Sequence, residues 1–272
     1  MSFEPRLPRD DVNVSKTHPL AEASWLLLGA AAAGLLLALL AFAATELVSR
    51  WLPANLEARW FGGLFESFVG DEPGEEPARG EAARALLLRL AAHRPENPYA
   101  FQLGVLEDEA LNAFALPGGT IVVTRGLLDA AESENELAFV LGHEIGHFAA
   151  RDHLRAIGRG LILSLVLRSV VGSGAGDAVP ALSAELASRG FARDQERDAD
   201  AFALGLVAAE YGHVKGADHF FSRLPDADAG FGAHAAAWFA THPVSESRIA
   251  ALHDLARRRG YATEGPLGDG LN

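Results

Sequence analysis

The chain has 272 residues, with 36 acidic and 23 basic side chains and a formal net charge of −13 at pH 7. So acidic a balance argues against nucleic acid or an anionic membrane surface as the main partner. The sequence contains no cysteine, which excludes a disulfide framework and a lipid-modified cysteine anchor.

The first predicted element is an apolar helix near the N-terminus. Residues 25–44 carry no charge over 20 positions, which is long enough to cross the hydrocarbon core of a bilayer. Trp25 and Trp51 flank this run as interfacial anchors do. A cleaved signal peptide is the alternative, because residues 41–43 fit a small-residue cleavage site. The run exceeds the roughly 7–15 apolar residues of a signal peptide, so we predict an uncleaved, single-pass anchor in the lipid bilayer.

Basic residues around this helix favour one orientation by a margin of one charge. Arg6, Arg9 and Lys16 precede the apolar run, whereas Arg50 and Arg59 follow it. The positive-inside rule then predicts a cytoplasmic N-terminus and places the chain after the helix on the extracytoplasmic (periplasmic) side.

Short strands are predicted after a linker rich in Glu, Pro and Gly at residues 71–80. Three runs have strand composition, at 101–107, 112–116 and 120–124, and Pro-Gly-Gly at 117–119 predicts a turn between the last two. We predict that these runs form a small antiparallel sheet ahead of the next helix.

The most informative pattern is the His-Glu-x-x-His sequence formed by His143, Glu144 and His147. Ser133 and Glu136 form a capping box upstream, so the pattern lies within a helix and both imidazoles share one face. Zinc binds neutral imidazole and lowers the pKa of its bound water to about 7, and a neighbouring carboxylate can take the proton. Chance predicts such a match about 0.03 times per chain of this composition, which disfavours unrelated surface histidines.

A second apolar stretch follows at residues 161–171. It is short for a membrane span and Arg168 interrupts it, so we expect a helix half-buried in the domain or resting on the bilayer surface. Glycines at 172, 174 and 176 predict a flexible connection after it.

A zinc site requires a third protein ligand, for which Glu196 is the candidate. Glu196 and Asp200 share one face of a helix predicted over 186–207, and Asp200 is placed to hydrogen-bond the outer nitrogen of a ligating histidine. The alternative is a solvated charged face, which the upstream histidine pair disfavours. Four side chains are weaker ligand candidates, the last two expected at the surface: Asp152, His153, His213 and His219.

Five motifs in this order resemble those of the membrane-associated zinc endopeptidases that include HtpX and the CAAX prenyl proteases. The resemblance covers residues 80–255 and implies that one zinc ion is bound by His143, His147 and Glu196, with Glu144 as the catalytic base. The motifs are Asn-Ala-Phe-Ala-Leu-Pro-Gly-Gly-Thr-Ile at 112–121, Arg-Gly-Leu-Leu at 125–128, the histidine motif, Glu-Arg-Asp-Ala-Asp at 196–200 and Thr-His-Pro at 241–243.

The resemblance also implies two further parts of the site. In zinc peptidases of this kind an edge strand beside the motif helix pairs with an extended substrate, and a purely structural hairpin is the alternative. His242 is expected near the zinc, as an extra ligand in a resting state or as a donor to the tetrahedral oxyanion. The candidate substrate strand comprises Asn112, Ala113, Phe114 and Ala115.

These predictions combine into a mainly helical α+β protein: a zincin-like metallopeptidase domain with a small antiparallel sheet, preceded by one transmembrane helix. The expected function is zinc-dependent hydrolysis of peptide bonds in membrane or envelope proteins, as in protein quality control. A chaperone-like zinc protein or scaffold with little turnover is the alternative, which the presence of Glu144 disfavours. The predicted divisions are a tail at 1–24, the anchor at 25–48, a juxtamembrane segment and linker at 49–79, the peptidase domain at 80–260 and a C-terminal tail at 261–272.

Overall fold

The computed structural model describes residues 18–61, 77–171, 193–223, 242 and 246–268. Several predictions concern residues outside these ranges. They are most of the N-terminal tail with its three basic residues, the linker up to residue 76, the glycines at 172–176, the start of the helix predicted from residue 186, the neighbours of His242 at 241 and 243, and residues 269–272.

The apolar run lies in helix α1, Pro19–Trp51, whose N-cap is His18. Among the described helices, α1 is the one that is long and apolar enough to cross a membrane. Its large side chains are exposed instead of packed, with Leu27 at 71% and Leu37 at 67%. The helix is therefore unlike a core helix of a globular domain, whose apolar side chains are buried.

Eight further helices are described, and their bounds follow from local signals at the ends. Ser133 caps the motif helix by accepting from the Glu136 backbone N–H, as the capping box predicts. Residues 77–80, predicted as the end of the linker, are helical instead. The helices are α2 Ala54–Phe61, α3 Pro77–Ala92, α4 Arg125–Ala130, α5 Glu134–Ala150, α6 Asp152–Val171, α7 Arg193–Tyr211, α8 His219–Arg223 and α9 Glu246–Arg259.

The three predicted strands form one sheet in the order β1-β3-β2, comprising β1 Gln102–Leu106, β2 Ala113–Leu116 and β3 Thr120–Thr124. The pairing of β2 with β3 is antiparallel, whereas β1 pairs with β3 in parallel. The prediction of an antiparallel sheet is therefore wrong for one of the two pairs. The chain passes from β1 to β2 at the opposite edge of the sheet, and the turn after β2 then returns it as β3 between the two edge strands.

The motif helix α5 packs closely against α7. A Cβ atom on Gly142 would lie 3.1 Å from Ala203 Cα, and one on Gly146 would lie 2.9 Å from Ala199 Cα. Small residues on both helices therefore set this close approach. Because the helices are this close, the charged first turn of α7 lies next to the face of α5 that bears the buried histidines.

Helix α6 runs back along α1 in the opposite direction. Arg155 faces Glu46, and one helical turn further on Gly158 faces Thr45. A Cβ atom on Gly158 would lie 2.1 Å from Thr45 Cγ2, so the two helices touch at this point. Whether the apolar half of α6 lies on a bilayer surface stays a prediction.

Candidate metal centre

Four buried side chains converge where α5 crosses α7. They are His143, His147, Glu196 and His242, and one potential ligand atom from each lies within 4.8 Å of the others. The Nε2 atoms of His143 and His147 are 3.1 Å apart, and His143 Nε2 is 3.2 Å from His242 Nδ1. Glu196 Oε1 lies 3.4 Å from His147 Nε2 and 3.1 Å from His242 Nδ1. The structure thus brings the three predicted ligands together with His242.

The spacing of these atoms fits a zinc ion. Ligand atoms held tetrahedrally at about 2.0–2.1 Å from a metal lie about 3.3 Å from one another. From His143 Nε2, the separations are 3.1 Å to His147 Nε2, 3.2 Å to His242 Nδ1 and 3.5 Å to Glu196 Oε2. Imidazole nitrogens with one carboxylate are also a donor set that zinc prefers.

The electrostatics of the cluster favour a cation. Burial alone would lower the pKa of His147, but hydrogen bonds to Asp152 and Glu196 outweigh it and raise that pKa to about 9. Burial opposes ionisation of Glu196, yet hydrogen bonds from the histidines hold its pKa well below its ordinary value. Positive charge is thus stabilised at the His147 ring, whereas burial lowers the pKa of His242 to about 3 and keeps that ring neutral, the form in which imidazole binds a metal.

Two aspartates contact the outer nitrogens of the paired histidines. Asp200 Oδ1 lies 3.0 Å from His143 Nδ1, and Asp152 Oδ2 lies 3.0 Å from His147 Nδ1. Such contacts turn each ring so that Nε2 faces the cluster. The sequence pointed to Asp200 for this contact but assigned none to Asp152. Arg151 adopts the left-handed conformation at φ 59° and reverses the chain after α5, which returns Asp152 to the histidine.

Arg248 on α9 is a buried residue of the site that sequence reasoning missed. Its Nη1 lies 2.6 Å from Glu196 Oε2, and its Nη2 donates to Asp200 Oδ1 at 2.7 Å. The guanidinium thereby fixes two carboxylates and leaves Glu196 Oε1 facing the ring nitrogens. Only its position six residues after His242 marks it in the sequence, since α9 otherwise has the pattern of a charged surface helix.

Glu144 lies beside the cluster with one oxygen unused. Its Oε1 is buried and has no hydrogen-bond partner among the described residues. His242 Nε2 lies 3.5 Å from this oxygen. Burial raises the pKa of Glu144 to about 7. A buried oxygen in this condition calls for a further polar group in the site, such as water.

The predicted substrate strand lies at an edge of the sheet. Strand β2 pairs with β3 on one side, and no second strand of the described chain pairs with its other side. It also packs against α5. Asn112 Oδ1, just before β2, is buried without a hydrogen-bond partner in the described ranges.

The weaker ligand candidates lie outside the cluster. His153 is buried, with Nε2 2.7 Å from Glu57 Oε1. His213 is 4% exposed, so its expected surface position is wrong: its backbone forms a β-bridge with Ala262, and Gly265 lies against its ring. His219 is half-buried at the start of α8.

A helix with two histidines on one face and a glutamate between them, crossed by a second helix that adds a carboxylate, defines the metallopeptidase domain of the zincin class. The chain belongs to Peptidase family M48, whose sequence model matches residues 78–256. The resemblance predicted from the motifs is thereby confirmed, and so is zinc as the metal that this family uses.

Three relatives illustrate the similarity. The beta-barrel assembly-enhancing protease of Escherichia coli (strain K12) is 26% identical over 200 residues, which cover 67% of this chain and 40% of that protein. The mitochondrial metalloendopeptidase OMA1 of Schizosaccharomyces pombe is 30% identical over 173 residues, covering 62% of this chain and 50% of that protein. The human OMA1 metalloendopeptidase is 27% identical over 207 residues, covering 70% and 40%. The chain thus spans half or less of the length of these relatives.

Proposed function

We propose that this protein is a membrane-anchored zinc metalloendopeptidase that cleaves membrane or envelope proteins. The observation that carries the proposal is the buried cluster of His143, His147 and Glu196 with the unpaired oxygen of Glu144 beside it. A scaffold without turnover has no use for a buried carboxylate that lacks a donor, because such a group costs stability. A general base, by contrast, is a carboxylate that must have an oxygen available to accept a proton.

Each side chain of the cluster has a separate role in peptide hydrolysis. His143, His147 and Glu196 hold the ion, which when bound polarises the scissile carbonyl and makes water nucleophilic at neutral pH. Glu144 takes a proton from the attacking water and returns it to the leaving amine. Asp200 orients the ring of His143.

His242 has two candidate roles, an extra ligand at rest or a donor to the oxyanion. Its Nδ1 lies 3.2 Å from His143 Nε2 and 3.1 Å from Glu196 Oε1, within the ligand set. This position supports the first role. A fourth protein ligand closes the position that a catalytic site keeps open, so the His242 ring must leave before substrate is cleaved.

Substrate binding is assigned to the outer edge of β2, at Asn112, Ala113, Phe114 and Ala115. An extended polypeptide that adds to this edge is held by backbone hydrogen bonds, which tolerate many sequences. The contact of β2 with α5 supports this placement, because it brings the edge strand beside the motif helix.

The exposed apolar surface of α1 supports a bilayer as the surroundings of that helix. The positive-inside count supports an extracytoplasmic catalytic domain. The names of the relatives, a beta-barrel assembly-enhancing protease and mitochondrial metalloendopeptidases, support membrane or envelope proteins as substrates.

The decisive experiment compares Glu144→Gln with the unchanged protein. We expect the variant to keep its zinc, measured by elemental analysis, and to lose casein hydrolysis by about 10²–10⁴-fold. Glu81→Gln is the matched control, because Glu81 is an exposed residue of α3 that pairs with Arg84. Hydrolysis retained in Glu144→Gln would refute the proposed base. Zinc-loaded protein with no chelator-sensitive hydrolysis would instead favour the scaffold.

A further inference from the structure

A continuous set of polar contacts joins α1 to His147. Asp152 Oδ2 contacts His147 Nδ1 at 3.0 Å, and Asp152 Oδ1 accepts from Arg155 Nη1 at 3.0 Å. Arg155 in turn donates through Nε to Glu46 Oε2 at 2.8 Å and through Nη2 to Glu46 Oε1 at 3.2 Å. We call these four residues, Glu46, Arg155, Asp152 and His147, the anchor network.

The anchor network spans the junction between α1 and the peptidase domain. Glu46 lies near the C-terminal end of α1, and Arg155 lies in the first turn of α6. Asp152 is 1% exposed, whereas the Arg155 and Glu46 side chains are 23% and 35% exposed. The network therefore begins at the partly exposed junction of the two helices and ends at the buried His147 of the metal site.

Its geometry leaves little freedom to the Asp152 carboxylate. One oxygen contacts His147, and the other accepts from both Arg155 and the Gln195 side-chain amide. Gln195 directly precedes the proposed ligand Glu196 in α7. Loss of the Arg155 contact would let the carboxylate turn, and the ring of His147 would lose its fixed orientation.

The two paired histidines are thus oriented from different parts of the molecule. Asp200, the partner of His143, is held by the buried Arg248 of the peptidase domain. Asp152, the partner of His147, is held by Arg155, whose other partner is Glu46 of α1. An isolated surface ion pair contributes little to stability, but one that holds a buried orienting carboxylate acts on the metal site.

We propose that the anchor network positions His147 for zinc, so that docking of α1 against α6 strengthens metal binding. Glu46, Arg155 and Asp152 are positioning residues in this proposal, which rests on the proposed zinc binding by His147. Because such coupling is reciprocal, zinc also stabilises the contact between α1 and the peptidase domain.

The test measures zinc affinity of the full chain in detergent micelles by competition with a chelator. We expect Asp152→Asn to weaken binding about 10–100-fold, the usual cost of losing the partner of a ligating histidine. Arg155→Gln and Glu46→Gln are expected to weaken it roughly 2–10-fold each. In the Arg155→Gln background, Glu46→Gln should add no further loss, because the contact it would break is already gone. The visible spectrum of the Co²⁺-substituted protein should shift in the same order.

Arg50→Gln is the matched control. Arg50 also pairs with Glu46, at 3.0 Å, but its side chain is 66% exposed, against 23% for Arg155. The zinc affinity of Arg50→Gln should equal that of the unchanged protein. Circular dichroism of the metal-free variants checks folding. If Asp152→Asn does not fold, Glu46→Gln still tests the proposal, because Glu46 is the most exposed residue of the network.

The possible failures are distinguishable. Unchanged zinc affinity in both Glu46→Gln and Arg155→Gln would overturn the anchor network while leaving the proposed function intact. Equal losses in Arg50→Gln and Glu46→Gln would also overturn it, since they would reflect general charge. Unchanged affinity in His147→Ala would instead refute the metal site on which the proposal rests.

Discussion

Two buried clusters of histidine and glutamate lie near α5, and they differ in how their hydrogen bonds balance. At the first, Glu57 of α2 is fully buried and both of its oxygens have donors. Oε1 accepts from the Gly118 N–H at 2.8 Å and lies 2.7 Å from His153 Nε2, and Oε2 accepts from the Tyr99 hydroxyl at 2.7 Å. This carboxylate is satisfied by protein groups alone, and the unpartnered atom of the cluster among the described residues is His153 Nδ1, on the far side of the ring from Glu57.

The second cluster is not satisfied in the same way. The ring nitrogens of His143, His147 and His242 face one another at hydrogen-bond distance, and Glu144 Oε1 has no partner in the described part of the chain. Converging ring nitrogens need a cation between them, whereas a matched set of donors does not. Residue type alone does not distinguish a structural cluster from a metal site. The two are distinguished by whether the buried carboxylate finds hydrogen-bond donors among the protein groups around it.

The contacts of the Glu57 carboxylate have a structural consequence of their own. Glu57 follows the apolar helix by only a few residues, yet it contacts the turn between β2 and β3 through Gly118. The Arg151 side chain, at the end of α5, also donates to the Leu52 carbonyl between α1 and α2. The segment after α1 is therefore fastened to the peptidase domain.

The largest effect that tests this comparison is expected for Glu196→Ala. Removing a proposed ligand should weaken zinc binding by more than about 100-fold, the upper range for loss of an orienting partner. Isothermal titration with zinc measures it. Glu210→Gln is the control, because Glu210 lies on the same helix but pairs with Arg89 and His93 away from the site. Equal zinc affinity in Glu196→Ala and the control would remove Glu196 from the ligand set.

The sequence predicts the motif helix well because its signals are local. The Ser133 and Glu136 capping box marks where α5 begins, and the spacing of His143 and His147 places both rings on one face. Glu196 and Asp200 followed from the same helical periodicity on α7. Small residues at the helix crossing then allow the two faces to meet.

The parts that the sequence did not reveal depend on distant contacts. Arg248 reaches the site only because α9 packs against α7, and no periodicity reports that packing. The pairing of β1 with β3 is parallel because β1 lies beside β3 and not beside β2. The composition of β1 does not indicate which of the two strands it pairs with. Asp152 was missed because its contact with His147 requires the left-handed Arg151, a conformation that a non-glycine sequence does not announce.

A smaller effect is expected at the Glu57 carboxylate. Glu57→Gln replaces an acceptor by a donor-bearing amide, so a buried donor among Tyr99, Gly118 and His153 loses its partner. We expect a loss of about 1–3 kcal/mol in the free energy of unfolding, measured by urea denaturation of the full chain in detergent. Zinc affinity should remain that of the unchanged protein. A large drop in zinc affinity without a loss of stability would show that Glu57 belongs to the metal site instead.

The smallest effect is the pH dependence of that stability difference. Burial alone would raise the pKa of Glu57, but hydrogen bonds from His153, Gly118 and Tyr99 outweigh it and hold the pKa below its ordinary value of 4.5. A carboxyl group whose pKa is depressed by folding stabilises the folded state above its unfolded-state pKa and loses that contribution as pH falls through its folded-state pKa. In metal-free protein, the stability difference between the unchanged chain and Glu57→Gln should therefore be constant from pH 7 to about 5.5 and shrink below about 4.5. Glu81→Gln, at an exposed carboxylate, should show no such change, and a difference that grows on acidification would mean that Glu57 is protonated in the folded protein.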